Sequence, residues 1–166
     1  DPALVSHRLS REETVLAVPE PMAAECLSPE EIRGFKEEGI VSLRPFSGCP
    51  FVRMDADTWM GEQFDRYCRE DGFDPKIFVI SQSVLTVLEC CAEGIGATLV
   101  PAGYLDHLTA EQRRGMVFFR WRYPDVTLLG AVLHLKSSYI TKAAMDFVKC
   151  SQKICGEEES LWNGFF

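Results

Sequence analysis

The stretch Cys91-Ala92-Glu93-Gly94-Ile95-Gly96-Ala97-Thr98-Leu99-Val100-Pro101 joins the end of an apolar segment to a short apolar run through two glycines. Gly94 stands where a helix must stop and can take the left-handed backbone that ends one. Gly96 carries no side chain, so the next strand can pass close to a neighbour. Glycine spacing here is not G-x-G-x-x-G, and a dinucleotide-binding turn is rejected. The passage therefore predicts helix, turn, strand, with Ser83–Glu93 as the helix and Ala97–Val100 as the strand. Val84, Leu85, Val87, Leu88, Cys91 and Ala92 leave that helix few polar positions, and it is expected to be buried on most sides.

The same alternation continues outward in both directions. Upstream lie Pro50–Arg53 as a strand, Asp57–Asp71 as a helix with Met60, Phe64, Tyr67 and Cys68 at helical spacing, a stop at Gly72, and Lys76–Ile80 as a strand. Farther back, Ser28-Pro29-Glu30-Glu31 is a helix start, with an N-cap Ser, Pro at the first helical position and a Glu closing the capping box, and Gly39 ends that helix. Thr14–Val18 is a strand running into Pro19 and Pro21, and Asp1–Val5 reads as a short extended segment. Downstream, Asp106–Gly115 is polar and loop-like with room for a helical turn, Met116–Arg120 and Thr127–Leu135 are strands, and Ser138–Cys155 is an amphipathic helix. Strands alternating with helices give an α/β fold.

Bulk properties narrow the function. The chain has 166 residues, room for one domain or two small lobes, and no apolar run approaches the roughly 20 residues of a membrane span. Its formal charge of −8 makes it a poor binder of nucleic acid by itself, because such binding rests on phosphate neutralisation by Lys and Arg. Seven cysteines without C-x-x-C spacing read as free thiols in a reducing cytoplasm, and no zinc set is apparent. His7, His107 and His134 have no evident partners. Cys90-Cys91 inside an apolar helix reads as small hydrophobes, so no catalytic constellation is expected.

Three segments together resemble the effector-binding domain of LysR-type transcription regulators. Asp1-Pro2-Ala3-Leu4-Val5 is similar to D-L-A-[IL]-[VI]. Cys49-Pro50-Phe51-Val52 through Arg66–Pro75 is similar to the family's P-F-I strand, helix and G-[FL]-x-P turn. Cys91–Pro101 resembles V-A-A-G-x-G-[IV]-x-[LF]-[VL]-P. The resemblance covers Asp1 to about Cys155. It implies a type 2 periplasmic-binding-protein-like fold, with two strands crossing between lobes near Leu4–Ser6 and Thr127–Leu133. One Rossmann-like lobe, 7–126, is expected intact. The other is expected as a remnant made of 1–6 and 127–155, without the family's opening strand, helix and second strand, and 156–166 as a tail. The N-terminal winged helix-turn-helix is also absent from the sequence, so DNA is expected as a partner only through that missing domain.

The resemblance further implies a cytoplasmic, non-enzymatic sensor that binds a small effector, a carboxylate or other small anion, in an interlobe cleft. A solute-binding component of a transporter shares the fold and is the alternative. No cofactor, metal or membrane partner is implied. The cleft contacts carried over are Asp57, Thr58, Trp59 and Met60 at one helix start, Gln82 and Ser83 at the next, and Ser6 on the crossing strand. Free N–H groups at helix starts suit an anion. Capping explains Asp57 more simply, and packing explains Trp59 equally well. Arg53 could pair with a ligand carboxylate but is expected to be solvated instead, and Asp55-x-Asp57 is expected to be turn chemistry rather than a metal site. Self-association is expected through the Ile140, Ala143, Ala144, Phe147, Val148 face, with the Asp57–Asp71 helix a second contact.

Overall fold

The computed structural model describes residues 2–122 and 127–158. The chain divides into two compact units, one of Asp1–Glu12 with Thr127–Phe165 and the other of Glu13–Val126. The expected lobe boundaries lay at 6/7 and 126/127; compactness divides the chain at 12/13 and 126/127.

In the larger unit the second half of strand β1 (Leu4–Pro19) runs between β4 (Thr98–Pro101) and β5 (Met116–Arg120), antiparallel to both. Val15, Leu16, Ala17 and Val18 are all fully buried, which explains why four apolar residues run on without alternation. A second, parallel pair is formed by β2 (Pro50–Met54) and β3 (Lys76–Ser81). It joins the first through Phe51 and Ala97, with Ala97 N–H donating to Pro50 O at 2.8 Å and Val52 N–H to Ala97 O at 2.9 Å. Gly96 makes this approach possible: a Cβ there would stand 2.8 Å from the Pro50 carbonyl oxygen.

Helix α2 (Pro29–Glu38) begins at the expected capping box, Ser28 with Glu31, and stops at Gly39 with φ 81°. Helix α3 (Trp59–Asp71) buries Met60, Phe64, Tyr67 and Cys68 and ends at left-handed Gly72. Helix α4 (Val84–Ala92) packs on β2, β3 and β4, whereas α3 packs on β2 and β4. Phe51 lies at the centre, with its ring 5.7 Å from Phe64 and 5.6 Å from Phe73.

Four expectations need correction. Helix α4 is buried on one face only, through Val87, Leu88 and Cys91, while Leu85 is 43% exposed. Composition reported an apolar segment; packing uses one side of it. A helix not foreseen, α1 (Glu20–Cys26), follows β1, because Pro21 sits in the first turn, where the missing N–H costs nothing. Asp106–Gly115 holds more than the single helical turn allowed for it: a 3-10 turn over Ala102–His107 leads to α5 (Ala110–Arg114), started by a Thr109–Gln112 capping box. Finally, Leu4 and Val5 of the first extended segment belong to the same 16-residue strand as Thr14–Val18.

In the smaller unit the first half of β1 pairs with β6 (Thr127–Leu135), and α6 (Lys142–Glu158) follows. Lys136 N–H donates to Ala3 O at 2.9 Å, and the Gln152 side chain donates to Arg8 O at 2.9 Å. His7 and His134, expected to be alone, stack with centroids 5.1 Å apart and Nε2 atoms 3.1 Å apart. Their positions on neighbouring strands, 127 residues apart in sequence, could not be read locally. Most of the expected tail, 159–166, lies outside the described residues.

Candidate functional site

β2 and β3 are parallel neighbours in register at Met54 and Ser81, so both strands end at one edge of the sheet and each leads into a helix. In α/β folds ligands bind outside the carboxyl ends of such strands. The β2–α3 turn is held by Asp55 N–H donating to Ser81 O at 2.9 Å, which ties the two turns together. Asp55 also accepts from Asp57 N–H through Oδ1 at 3.1 Å, an Asx turn that accounts for the Asp55-x-Asp57 pattern.

Thr58 is the N-cap of α3. Its Oγ1 donates to Asp55 O at 2.6 Å and accepts from Gly61 N–H at 3.1 Å. Ser83 is the N-cap of α4, with Oγ accepting from Thr86 N–H at 3.3 Å, while its own N–H donates to Ser81 Oγ at 3.1 Å. These caps satisfy one first-turn donor per helix. Trp59 and Met60 N–H in α3, and Val84 and Leu85 N–H in α4, have no acceptor among the described residues. The edge thus carries two positive helix ends and four unengaged backbone donors.

The side chains singled out in the sequence divide accordingly. Trp59 is 39% exposed, and Asp57, Gln82 and Ser83 are exposed at the same edge. Thr58 is half-buried and committed to its cap. Met60 is buried in the core, so its contribution at the edge is its backbone N–H. Ser6 lies in the other unit, exposed on β1. Arg53 is not solvated: it is largely buried, donates to Met54 O at 3.1 Å and pairs with Asp65 at 3.4 Å, where the partner twelve residues away lies one helix later. Free N–H groups at the two helix starts were expected from the sequence; the structure assigns them to Trp59 and Met60 in α3 and to the apolar Val84 and Leu85 in α4. Among the described residues, no group of three or more His, Cys, Asp or Glu is placed to hold a metal. No helix among them is long and apolar enough to cross a membrane.

Solved structures share this fold. The effector binding domain of QuiR in complex with shikimate is 15% identical, with a TM-score of 0.62 over 95% of this chain and 68% of that one. HinK, a LysR family transcriptional regulator from Pseudomonas aeruginosa, is 21% identical, with a TM-score of 0.65 over 95% of this chain and 50% of that one. The BenM effector binding domain with its effector benzoate is 19% identical, with a TM-score of 0.60 over 100% of this chain and 67% of that one. The chain spans about half the length of HinK and about two thirds of the two isolated domains. None of the curated proteins matches it. A family model, the LysR substrate binding domain, matches residues 1–155. Fold, glycine turn and family match agree: the chain belongs to the LysR substrate binding domain family.

Proposed function

We propose that this chain is the effector-sensing part of a DNA-binding transcription regulator, and that it takes a small carboxylate at the edge formed by the starts of α3 and α4. The observation that supports the ligand class is the pair of adjacent helix starts with unengaged N–H groups at Trp59, Met60, Val84 and Leu85. Each helix end favours an anion by about 0.3–1 kcal/mol, and each hydrogen bond to a charged acceptor adds about 1.5–3 kcal/mol. After ordering costs that suffices for micromolar to millimolar affinity. Shikimate and benzoate, the molecules bound by two of the similar domains, both carry a carboxylate. Trp59 supplies an apolar surface for the body of such a ligand, and Gln82 a polar side chain beside it. DNA contact belongs to a separate domain, since a chain of charge −8 repels phosphate. Effector binding acts by shifting a conformational equilibrium in a homo-oligomer.

The test is a thermal-shift screen of carboxylates, amines and neutral sugars side by side. A true ligand at a hundredfold excess over its Kd stabilises by about 2.7 kcal/mol and raises the melting temperature by several degrees. Carboxylate hits should weaken at least fivefold in Gln82→Ala and Trp59→Leu, neither of which removes a cap. Thr58→Ser, which keeps the capping hydroxyl, should bind normally. Hits confined to amines or sugars, or carboxylate affinity unmoved by both substitutions, contradict the reading.

A further inference from the structure

Outside that edge the larger unit holds a pair of thiols whose contact the function leaves unused. Cys26 closes α1 and Cys49 stands immediately before β2, with their sulfurs 2.6 Å apart. A disulfide bond is about 2.04 Å, so the two atoms need only about half an ångström of movement to bond. The pairing is built into the backbone on both sides. Cys49 N–H donates to Phe46 O at 2.9 Å, fixing the turn that presents the thiol, and Cys49 Sγ reaches Met22 O of α1 at 3.9 Å. Gly48 leaves room beside Cys26, whose Sγ lies 3.6 Å from where a Cβ would be.

The two sulfurs differ in access. Cys49 is 1% exposed, and burial together with the Cys26 contact pushes its thiol well above the usual range, keeping it protonated. Cys26 is half-buried and lines an open cleft of about 510 Å³ with Pro19, Glu20, Met22, Glu25 and Glu93. A small reagent therefore meets Cys26 first, and three carboxylates around it favour a cationic one.

We propose that Cys26 and Cys49 are a site of reversible disulfide formation, oxidised by small cationic disulfides through the Cys26 cleft. In the first step the Cys26 sulfur attacks a disulfide RSSR, forming a Cys26–SR bond and releasing one RSH. In the second the Cys49 sulfur attacks Cys26 and expels the other RS group, which takes up the Cys49 proton and leaves as RSH. The protein loses two hydrogens and RSSR is reduced to two RSH. The product staples the end of α1 to the start of β2 and closes the loop that contains α2. This site is independent of the effector reading.

The experiment uses the full chain with Cys90, Cys150 and Cys155 changed to serine, leaving Cys26, Cys49, Cys68 and Cys91. It is treated with cystamine, freed of the reagent and weighed intact, and a portion is alkylated before digestion. The expected product is two hydrogens lighter than the reduced protein, with no adduct, a Cys26–Cys49 linked peptide on digestion and full reversal by dithiothreitol. Its melting temperature should rise by roughly 5 °C or more. In the same background Cys49→Ser should trap one cystamine half on Cys26, and Cys26→Ser should take up none. An unchanged mass, a bond to Cys68 or Cys91, or a stable adduct on Cys26 while Cys49 is intact would overturn the proposal.

Discussion

Single residues in this chain are most informative where their chemistry is at odds with burial. Cys68 is 6% exposed on α3, and burial, reinforced by the carboxylates of Asp65 and Asp71, pushes its thiol up to about 12. Cys91, fully buried and donating to Ala17 O at 3.4 Å, moves in the same direction, as does Cys49. An unfolded thiol titrates near 8.5. Below that pH both states hold the proton and the stability is complete. Above it the unfolded chain releases protons that the native chain keeps, so stability falls as pH rises toward the native values, by at most about 1.4 kcal/mol per pH unit for each thiol. Urea midpoints measured at pH 7, 8.5 and 10 should be level over the first interval and drop over the second. Cys68→Ala should start lower and lose less between pH 8.5 and 10. A drop that is as steep in the variant would remove Cys68 from this account.

Elements are where sequence and structure can be compared most directly. Strands β2 to β5 and helices α2 to α4 were legible because each boundary is a local event: a capping box at Ser28, glycines at 39, 72 and 94, a proline at 101. The β2–β3 edge was legible as two helix starts with free N–H groups, but which residues carry them depends on where each cap falls, and the structure gives Trp59, Met60, Val84 and Leu85. Nor was the full length of β1, whose polar middle His7–Glu13 has no apolar run and is paired only by partners far away in sequence. Gly61 shows how finely the edge is fitted. A Cβ at that position would fall 1.9 Å from the Asp55 carbonyl oxygen and 2.8 Å from that of Met54, so α3 can seat its first turn on the β2–α3 loop only without one. Gly61→Ala should therefore cost about 1–3 kcal/mol, the range for forced overpacking, rather than the stabilisation that Gly→Ala brings in an open helix. Urea denaturation measures it directly, and a neutral or stabilising result would mean that the loop yields freely.

The distribution of apolar surface over the whole chain is uneven, and this bears on its behaviour in solution. The larger unit packs a core around Phe46, Phe51, Tyr67 and Phe119 and leaves Phe78 67%, Val41 60% and Ile80 52% exposed, while the smaller one, with far fewer residues, leaves Tyr139 90%, Phe147 64%, Ile154 58%, Leu129 58% and Leu133 55% exposed. Leu129, Leu133 and Leu135 share one face of β6, since strand side chains alternate. Of the face expected to drive association, Val148 is buried and Ile140 half-buried, while Phe147 and the small Ala143 and Ala144 remain open. Each large apolar side chain left in water forgoes about 1.5–3 kcal/mol, and such a cluster on one small unit is a surface that seeks cover. Opposing it is the net charge of −8, which makes two copies repel. Salt at 0.15 M shortens that repulsion to about 8 Å and leaves the apolar attraction intact. The chain should therefore self-associate, and more strongly as salt is raised from about 0.01 to 0.5 M, the opposite of an assembly held by ion pairs. Sedimentation velocity over a hundredfold concentration range at three salt levels reads both trends. Leu133→Lys with Phe147→Lys should return the chain to a monomer while leaving far-UV dichroism unchanged. A monomer at every concentration and salt, or association that weakens with salt, would show that this surface is not what brings copies together.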